Sequence, residues 1–427
     1  MKRPLLATMS SALLAALLVA TPAPVRAVGT IYVGPGGGSG GCASPDYQTD
    51  GSSDNVQIGN AAAFAASGNT IYLCAGTYHF GAEIQLQVVA EGKNLTFQGA
   101  GMSQTILDAS GADSRFFHAE NVNLTFRDLT MQNARVESWV GAVWGESLTN
   151  IVIERSAFID NYAANGIGAI FSREGTVTVA SSLFDGNYSN TIEFQDWGGG
   201  AVTVNGDDAV VYITNSEFIN NYSVRSGGAI NVNGPLVINN SKFIGNESTE
   251  DGGAISAYDD LRLTASSFSG NITQSEGASV YVECDEFVDV SRSTFAGNHA
   301  VGEGADGGAL NVDCINSDAD ISFDKNVFSK NSAGDNGGAI DEDHGSLMVF
   351  SGNKFLRNSA VNNGGAIWSW DIELTRNTFT RNTTNHCGGA VFVAGTDNGT
   401  SRGHGNRFSG NRGRGGLRSA DVCFGNY

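Results

Sequence analysis

Proline, basic side chains and long apolar runs are all scarce in this chain, and each shortage removes a class of protein. Six Pro in 427 residues exclude collagen, which needs abundant Pro and a Gly at every third position. Lys and Arg number 24 against 44 Asp and Glu, a net charge of −20. That balance disfavours nucleic acid and anionic membrane surfaces as partners. Beyond residue 27 no stretch reaches the ~18 to 20 apolar residues of a spanning helix, so no transmembrane segment is expected once the first residues are removed. Only 16% of residues are charged, yet a disordered linker is excluded as well, because 41% are hydrophobic and 23 are Phe. What the chain has in excess is Gly, 57 copies, and Asn, 39 copies. Both must therefore serve a folded, turn-rich body.

The opening segment MKRPLLATMSSALLAALLVATPAPVRA joins a basic start at Lys2 and Arg3 to an apolar stretch from about Leu13 to Ala20 and a small residue, Ala27. It reads as a secretory signal peptide over residues 1–27, which predicts an extracellular product. The first Cys is Cys42, too far along for a lipid-modified N-terminal Cys, and the end SADVCFGNY carries no apolar tail.

A repeat organises the rest. Phe-x-x-Asn occurs ten times, at Phe158, Phe184, Phe218, Phe243, Phe268, Phe295, Phe328, Phe355, Phe379 and Phe408, spaced 24 to 34 residues apart. Between the copies lies Gly-Gly-Ala-aliphatic, beginning at Gly199, Gly227, Gly252, Gly307, Gly337, Gly364 and Gly388, with weaker versions at Gly141, Gly168 and Gly277. Runs such as Ala229–Asn233 alternate with strand period. Units of this size cannot bury an apolar face alone and must stack. The pattern predicts an all-β, single-stranded, right-handed parallel β-helix of about ten to twelve coils, with three short strands per coil at the ~4.8 Å inter-strand spacing. Phe would point inward and stack. Asn would occupy a turn, tolerate the left-handed region and bond its neighbour's amide. The Gly pair would allow backbone angles or approaches that a Cβ forbids. Residues 28–92 carry no motif copy and read as an N-terminal cap with first strands, including a helix-like stretch over 55–67 stopped by Gly68. Residues 93–427 read as the β-helix. The Gly-rich run 34–41 lacks the Lys-Ser/Thr of a phosphate loop and reads as a plain loop.

These paired motifs resemble the repeats of the polymorphic membrane protein autotransporters over about residues 140 to 417. Upstream, GKNLTFQGAGMSQTILDASG and FFHAENVNLTFRDLTMQNA resemble the opening coils of the pectin-lyase-like group. The resemblance implies a β-helix that is secreted, cell-surface or outer-membrane associated and serves adhesion or surface interaction, with a host or environmental glycan or protein as partner. The autotransporters' C-terminal barrel has no counterpart in this sequence, so self-translocation is not expected.

Six Cys in a secreted chain suggest three disulfides, though 15 connectivities are formally open. Counting from Val280 and Leu310 as equivalent positions, Cys284 and Cys314 each fall four residues on, in consecutive coils. The expected pairs are Cys284 with Cys314, Cys42 with Cys74, and Cys387 with Cys423; the alternative is buried free thiols. The same alignment predicts two outward rows. One runs Asn231, Ser256, Tyr281, Asn311, Asp341, Trp368, and the other runs Asn233, Tyr258, Glu283, Asp313, Asp343, Trp370. Stacked Glu283, Asp313 and Asp343 would repel unless a cation offset them, and calcium takes several carboxylate oxygens. These three are the candidate calcium ligands, and no other cofactor is expected. Tyr258, Tyr281, Asp313, Asp341, Asp343, Trp368 and Trp370 are the candidate ligand-binding residues, the aromatic faces suiting sugar stacking. The alternative is a solvated acidic face with incidental aromatics.

No catalytic residue is assigned. A calcium-dependent uronate lyase would need a base, for which Arg262 and Arg292 are the nearest offers, and a hydrolase would need paired carboxylates. Asp207-Asp208 and His344-Gly345 only superficially resemble polygalacturonase motifs. His299, His344, His386 and His404 show no metal-ligand spacing. Asn271-Ile272-Thr273 forms a glycosylation sequon, though Asn is frequent here for turn reasons.

Overall fold

The computed structural model describes residues 29–36, 42–87, 92–137, 139–147, 149–190, 198–206, 209–316, 318–395, 403–413 and 421–425. The expected signal segment, most of the Gly-rich run and Asp207-Asp208 lie outside them.

Strands pair only with their equivalents in the coils before and after, always in parallel, and so build four long sheets of 14, 13, 10 and 13 strands. This is the expected right-handed parallel β-helix, of about twelve turns, with one side more than the sequence predicts. In the coil of residues 236–257 the chain runs through Leu236–Asn239 of the leading sheet and Lys242–Ile244 of the Phe sheet. It continues through the two-residue strand Glu247–Ser248 of a short sheet and returns through Ile255–Ala257 of the Gly-Gly-Ala sheet. Two-residue strands leave no alternation to read, which is why the short sheet escaped the pattern.

The Phe of all ten motifs are in register and form one column, with neighbouring ring centroids 4.7 to 5.0 Å apart and planes within 3 to 10°. The motif Asn side chains run beside them inside the turn. Each Nδ2 donates to the Oδ1 of the next coil's Asn, from Asn161→Asn187 at 2.9 Å to Asn382→Asn411 at 3.1 Å. Each from Asn187 onward also reaches back to a Phe carbonyl, as Asn271 does to Phe243 O at 3.1 Å, while Asn161 reaches Met131 O at 3.2 Å. Asn does not take the left-handed conformation expected of it. That falls one residue earlier, at Asp160, Gly186, Asn220, Gly245, Gly270, Gly297, Lys330, Arg357, Arg381 and Gly410. The sequon Asn271 is accordingly fully buried in the ladder and offers no amide for glycosylation.

At the N-terminal end the helix α1, Asn55–Phe64, buries Ile58, Ala61 and Ala62 and leaves Val56 and Phe64 exposed. Its end is held where Lys93 Nζ donates to Ala62 O at 2.9 Å. The leading sheet crosses from cap to repeats without a break, since Thr70–Tyr72 pair directly with Thr96–Gln98. All three disulfides join the expected partners, Cys42–Cys74, Cys284–Cys314 and Cys387–Cys423, with Cα–Cα distances of 5.8, 4.4 and 5.8 Å. No helix among the described residues is long and apolar enough to cross a membrane.

Candidate functional site, an acidic groove on the Gly-Gly-Ala sheet

In each Gly-Gly-Ala strand the first and third residues enter the core and the middle one faces away from it. The middle residues follow the predicted row, with Asn231, Ser256, Tyr281, Asn311 and Asp341 in strand register. Trp368 occupies the corresponding place one coil on, although there the strand pairing narrows to Ile340 with Ile367. Contrary to expectation, this outward row is buried. The Gly-Gly turn lies close over the strand that follows it: a Cβ on Gly252 would collide with the Ile255 carbonyl oxygen and approach Ser256 N.

The row is therefore the floor of a groove with two edges. One edge is the second predicted row, Asn233, Tyr258, Glu283, Asp313, Asp343 and Trp370. The other is formed by the residues just before each Gly pair, Ser226, Asp251, Glu276, Asp306, Asn336 and Asn363. This third column was missed because only the Gly pair, not the residue ahead of it, recurs as a type. Its signal was present in Asp251, Glu276 and Asp306, three acids at one register.

Acids crowd the groove from both edges. Burial, then Asp251, Asp343, Asp306 and Asp313, pushes Glu276 up to about 8. Burial raises Asp306 to about 7, with Asn336 N–H donating to its Oδ1 at 2.6 Å. Asp341 is 1% exposed, and burial with Asp306 and Asp343 beside it holds its carboxyl far above the ordinary range. The Tyr281 hydroxyl donates to Asp313 Oδ2 at 3.0 Å, while His344 Nδ1 meets Asp313 Oδ1. Asn311 Nδ2 donates to Asp343 Oδ2 at 3.1 Å.

The predicted calcium trio is distributed rather than gathered. Asp343 is grouped with Asp341 and Asp306, Asp313 is engaged by Tyr281 and His344, and Glu283 feels Asp313 as a neighbouring charge that helps raise its carboxyl after burial. The Trp pair is unequal. Trp368 is 7% exposed and packs on Phe392 and Ala394 beside Cys387 and Cys423, whereas Trp370 is 36% exposed with its Nε1 donating to Asp343 O at 3.1 Å. Tyr258 and Tyr281 meet edge to face, 6.1 Å between centroids. Arg262 stands on the leading sheet, 3.7 Å from Asp289 and over Phe287, away from the floor. A separate cleft of about 990 Å³ lies on the short-sheet side, lined by Arg135, Tyr162 and Tyr188 among others, and shares no residue with the acidic groove.

The Chlamydia polymorphic membrane protein (Chlamydia_PMP) repeat matches residues 240–258. That span holds the Phe243–Asn246 motif, the Gly252–Ile255 motif and the groove residues Asp251, Ser256 and Tyr258. The coil that holds Phe243 and Gly252 is thus similar to a polymorphic membrane protein repeat. No curated protein matches the chain. Among solved structures it is similar to the catalytic unit of the thermostable GH87 alpha-1,3-glucanase from Streptomyces thermodiastaticus strain HF3-3, at 12% identity and a TM-score of 0.42. The match covers 86% of this chain and 66% of the glucanase unit. It is also similar to pectate lyase Pel9A, at 15% identity, a TM-score of 0.43, and coverage of 83% of this chain and 80% of that one. The matched segment contributes one residue to each part of the groove, Asp251 to one edge, Ser256 to the floor and Tyr258 to the other edge.

Proposed function

We propose that this chain is a secreted or surface-associated interaction rod whose acidic groove binds a glycan. The observation that carries the reading is the groove's composition: a continuous lane across consecutive coils, edged by the exposed Trp370 ring and by Tyr258, with carboxylates and amides on both sides. An aromatic face covers the apolar face of a sugar, and carboxylates are strong acceptors for its hydroxyl groups. The repeat type supports a surface role, and the acidic charge favours neutral or basic ligands over polyanions. Secretion through the segment 1–27 belongs to the same reading.

A glycan array probed with the full chain tests it. Binding to a defined set of neutral or amino-sugar glycans that Trp370→Ala weakens at least tenfold is the expected result. Absence of binding across the array removes the glycan reading. Release of unsaturated, ultraviolet-absorbing products from uronate polymers would replace it with a lyase.

A further inference from the structure

Asp306, Asp341 and Asp343 each bring a carboxylate oxygen within 4.8 Å of the others. Chain geometry enforces this. Asp341 and Asp343 flank one residue at the end of a strand, so both face out of the core. Asp306 comes from the preceding coil's turn, anchored where its Oδ1 accepts the Asn336 N–H at 2.6 Å. Three carboxylates at this separation repel strongly, and one of them, Asp341, is almost wholly withdrawn from water.

The floor beside the trio also carries an unpaired acceptor, as it does at Asn231 and Ser256. Asn311 sits in register with Asp341 one coil earlier and is fully buried. Its amide reaches Asp343 through Nδ2, yet its Oδ1 has no hydrogen-bond partner. No N–H or hydroxyl donor reaches Asp341 Oδ1 either. A buried amide oxygen without a donor costs about 1 to 3 kcal/mol. Elsewhere on the floor Asn231, Ser256 and Tyr281 are neutral, so the Asp341 coil is where the lane becomes a charged pocket.

We propose that Asp306, Asp341 and Asp343, with the Asn311 side-chain carbonyl, form a binding site for one divalent cation of the calcium class. All four donors are hard oxygens, and the trio contains no His or Cys, which disfavours zinc and the softer metals. Asp343 lies at the solvent edge, so water completes the shell, and the mixed origin of the ligands from a turn and a strand suits calcium's irregular geometry better than magnesium's strict octahedron. The site stands on its own geometry and does not depend on which glycan, if any, occupies the groove.

Terbium luminescence sensitised by Trp370, whose indole Nε1 bonds the Asp343 carbonyl, reads occupancy directly in the full chain without any glycan present. We expect one terbium per chain, displaced by calcium at lower concentration than by magnesium, and calorimetric heat with calcium alone. Asp341→Asn and Asp306→Asn, each nearly isosteric, are each expected to weaken calcium at least tenfold, whereas Glu283→Gln is expected to leave it within about twofold. Absence of saturable terbium signal and of calcium heat overturns the site. So does the reverse pattern, in which Glu283→Gln abolishes binding and Asp306→Asn does not.

Discussion

Glu342 accepts the backbone N–H of Trp370, one coil away, through Oε2 at 3.3 Å. Its Oε1 accepts the N–H groups of His344 and Ser346 at 3.0 and 2.9 Å. The carboxylate is 0% exposed and stands in register with Val312 of the preceding coil, at a position the core otherwise fills with Val232, Ala257 or Val282. Burial raises this carboxyl, and the loop N–H groups oppose the rise. A core carboxylate thus shapes the loop that presents Asp343, His344 and Trp370 to the groove.

Glu342→Val is predicted to fit the core yet strand three loop N–H groups, lowering stability by about 2 to 4 kcal/mol. Glu342→Gln retains one acceptor oxygen for His344 and Ser346 and is expected to cost roughly half as much. Chemical denaturation followed by Trp fluorescence checks both. A Val variant as stable as the parent would show that the loop does not depend on the carboxylate.

The Gly excess contains two kinds of glycine with different tolerance. Gly252 combines φ of +66° with a Cβ position blocked by the Ile255 backbone, whereas Gly270, at φ of +63°, has open space around it. Coils two or three away carry Asn220, Lys330 and Arg357 at the place equivalent to Gly270, with φ of 51 to 57°. Gly270→Asn is therefore predicted to change stability by less than about 1 kcal/mol, while Gly252→Ala should cost about 4 kcal/mol or more or abolish folding. Comparable melting temperatures for the two variants would refute the distinction.

Asn271→Ala removes the acceptor of Asn246 N and Nδ2 and the donor to Phe243 O and Asn298 Oδ1. With several buried groups left unpaired at about 1 to 3 kcal/mol each, the loss should reach about 3 kcal/mol or more. Hydrogen exchange should locate it, with protection lost first in the coils of Asn246 and Asn298. Uniform loss along the whole rod would contradict a local ladder.

Glu276 sets a pH dependence. Its carboxyl is raised from 4.5 to about 8 in the folded chain, so between these values the folded state binds more protons than the unfolded one. The sign follows: stability attributable to this group is greatest below about pH 4.5 and declines as pH rises through about 8. Thermal unfolding in chelator, followed from about pH 5 to about pH 8, should show a falling midpoint that Glu276→Gln flattens. A parent profile with the same slope as the variant would count against it.

Much of the rod was legible because its cause repeats. A Phe column, an Asn ladder and a Gly pair each recur at one register, so the sequence carries every signal many times over, and the Cys284–Cys314 pairing follows from the same count. The groove was legible only in part. Tyr281, Asp341 and Trp370 could be assigned to the outward side, but whether that side is open or roofed depends on the path of the turn, which no alternation records. Asp306 escaped because its partners come from the next coil. A second polar ladder escaped too: two residues before each motif Phe, Ser156, Ser182, Ser216, Ser241, Ser266 and Ser293 hand on to Asn326, Asn353, Asn377 and Asn406 through backbone N–H bonds to the next side-chain oxygen. The change from Ser to Asn conceals it from a search for one residue type.

The Asn column has a consequence for how such a chain can vary in length. Each amide bonds only the coil before and the coil after, so whole coils are interchangeable units: deleting residues 247–271 would bring Asn246 against Asn298 with equivalent partners. A deletion inside a strand breaks the register of its sheet, whereas the turns absorb the differences that make the motif spacing vary from 24 to 34 residues. Rod length is thus quantised, and each added or lost coil moves the Asp341 pocket along the axis by one strand spacing relative to the α1 cap, about 4.8 Å, without altering its chemistry.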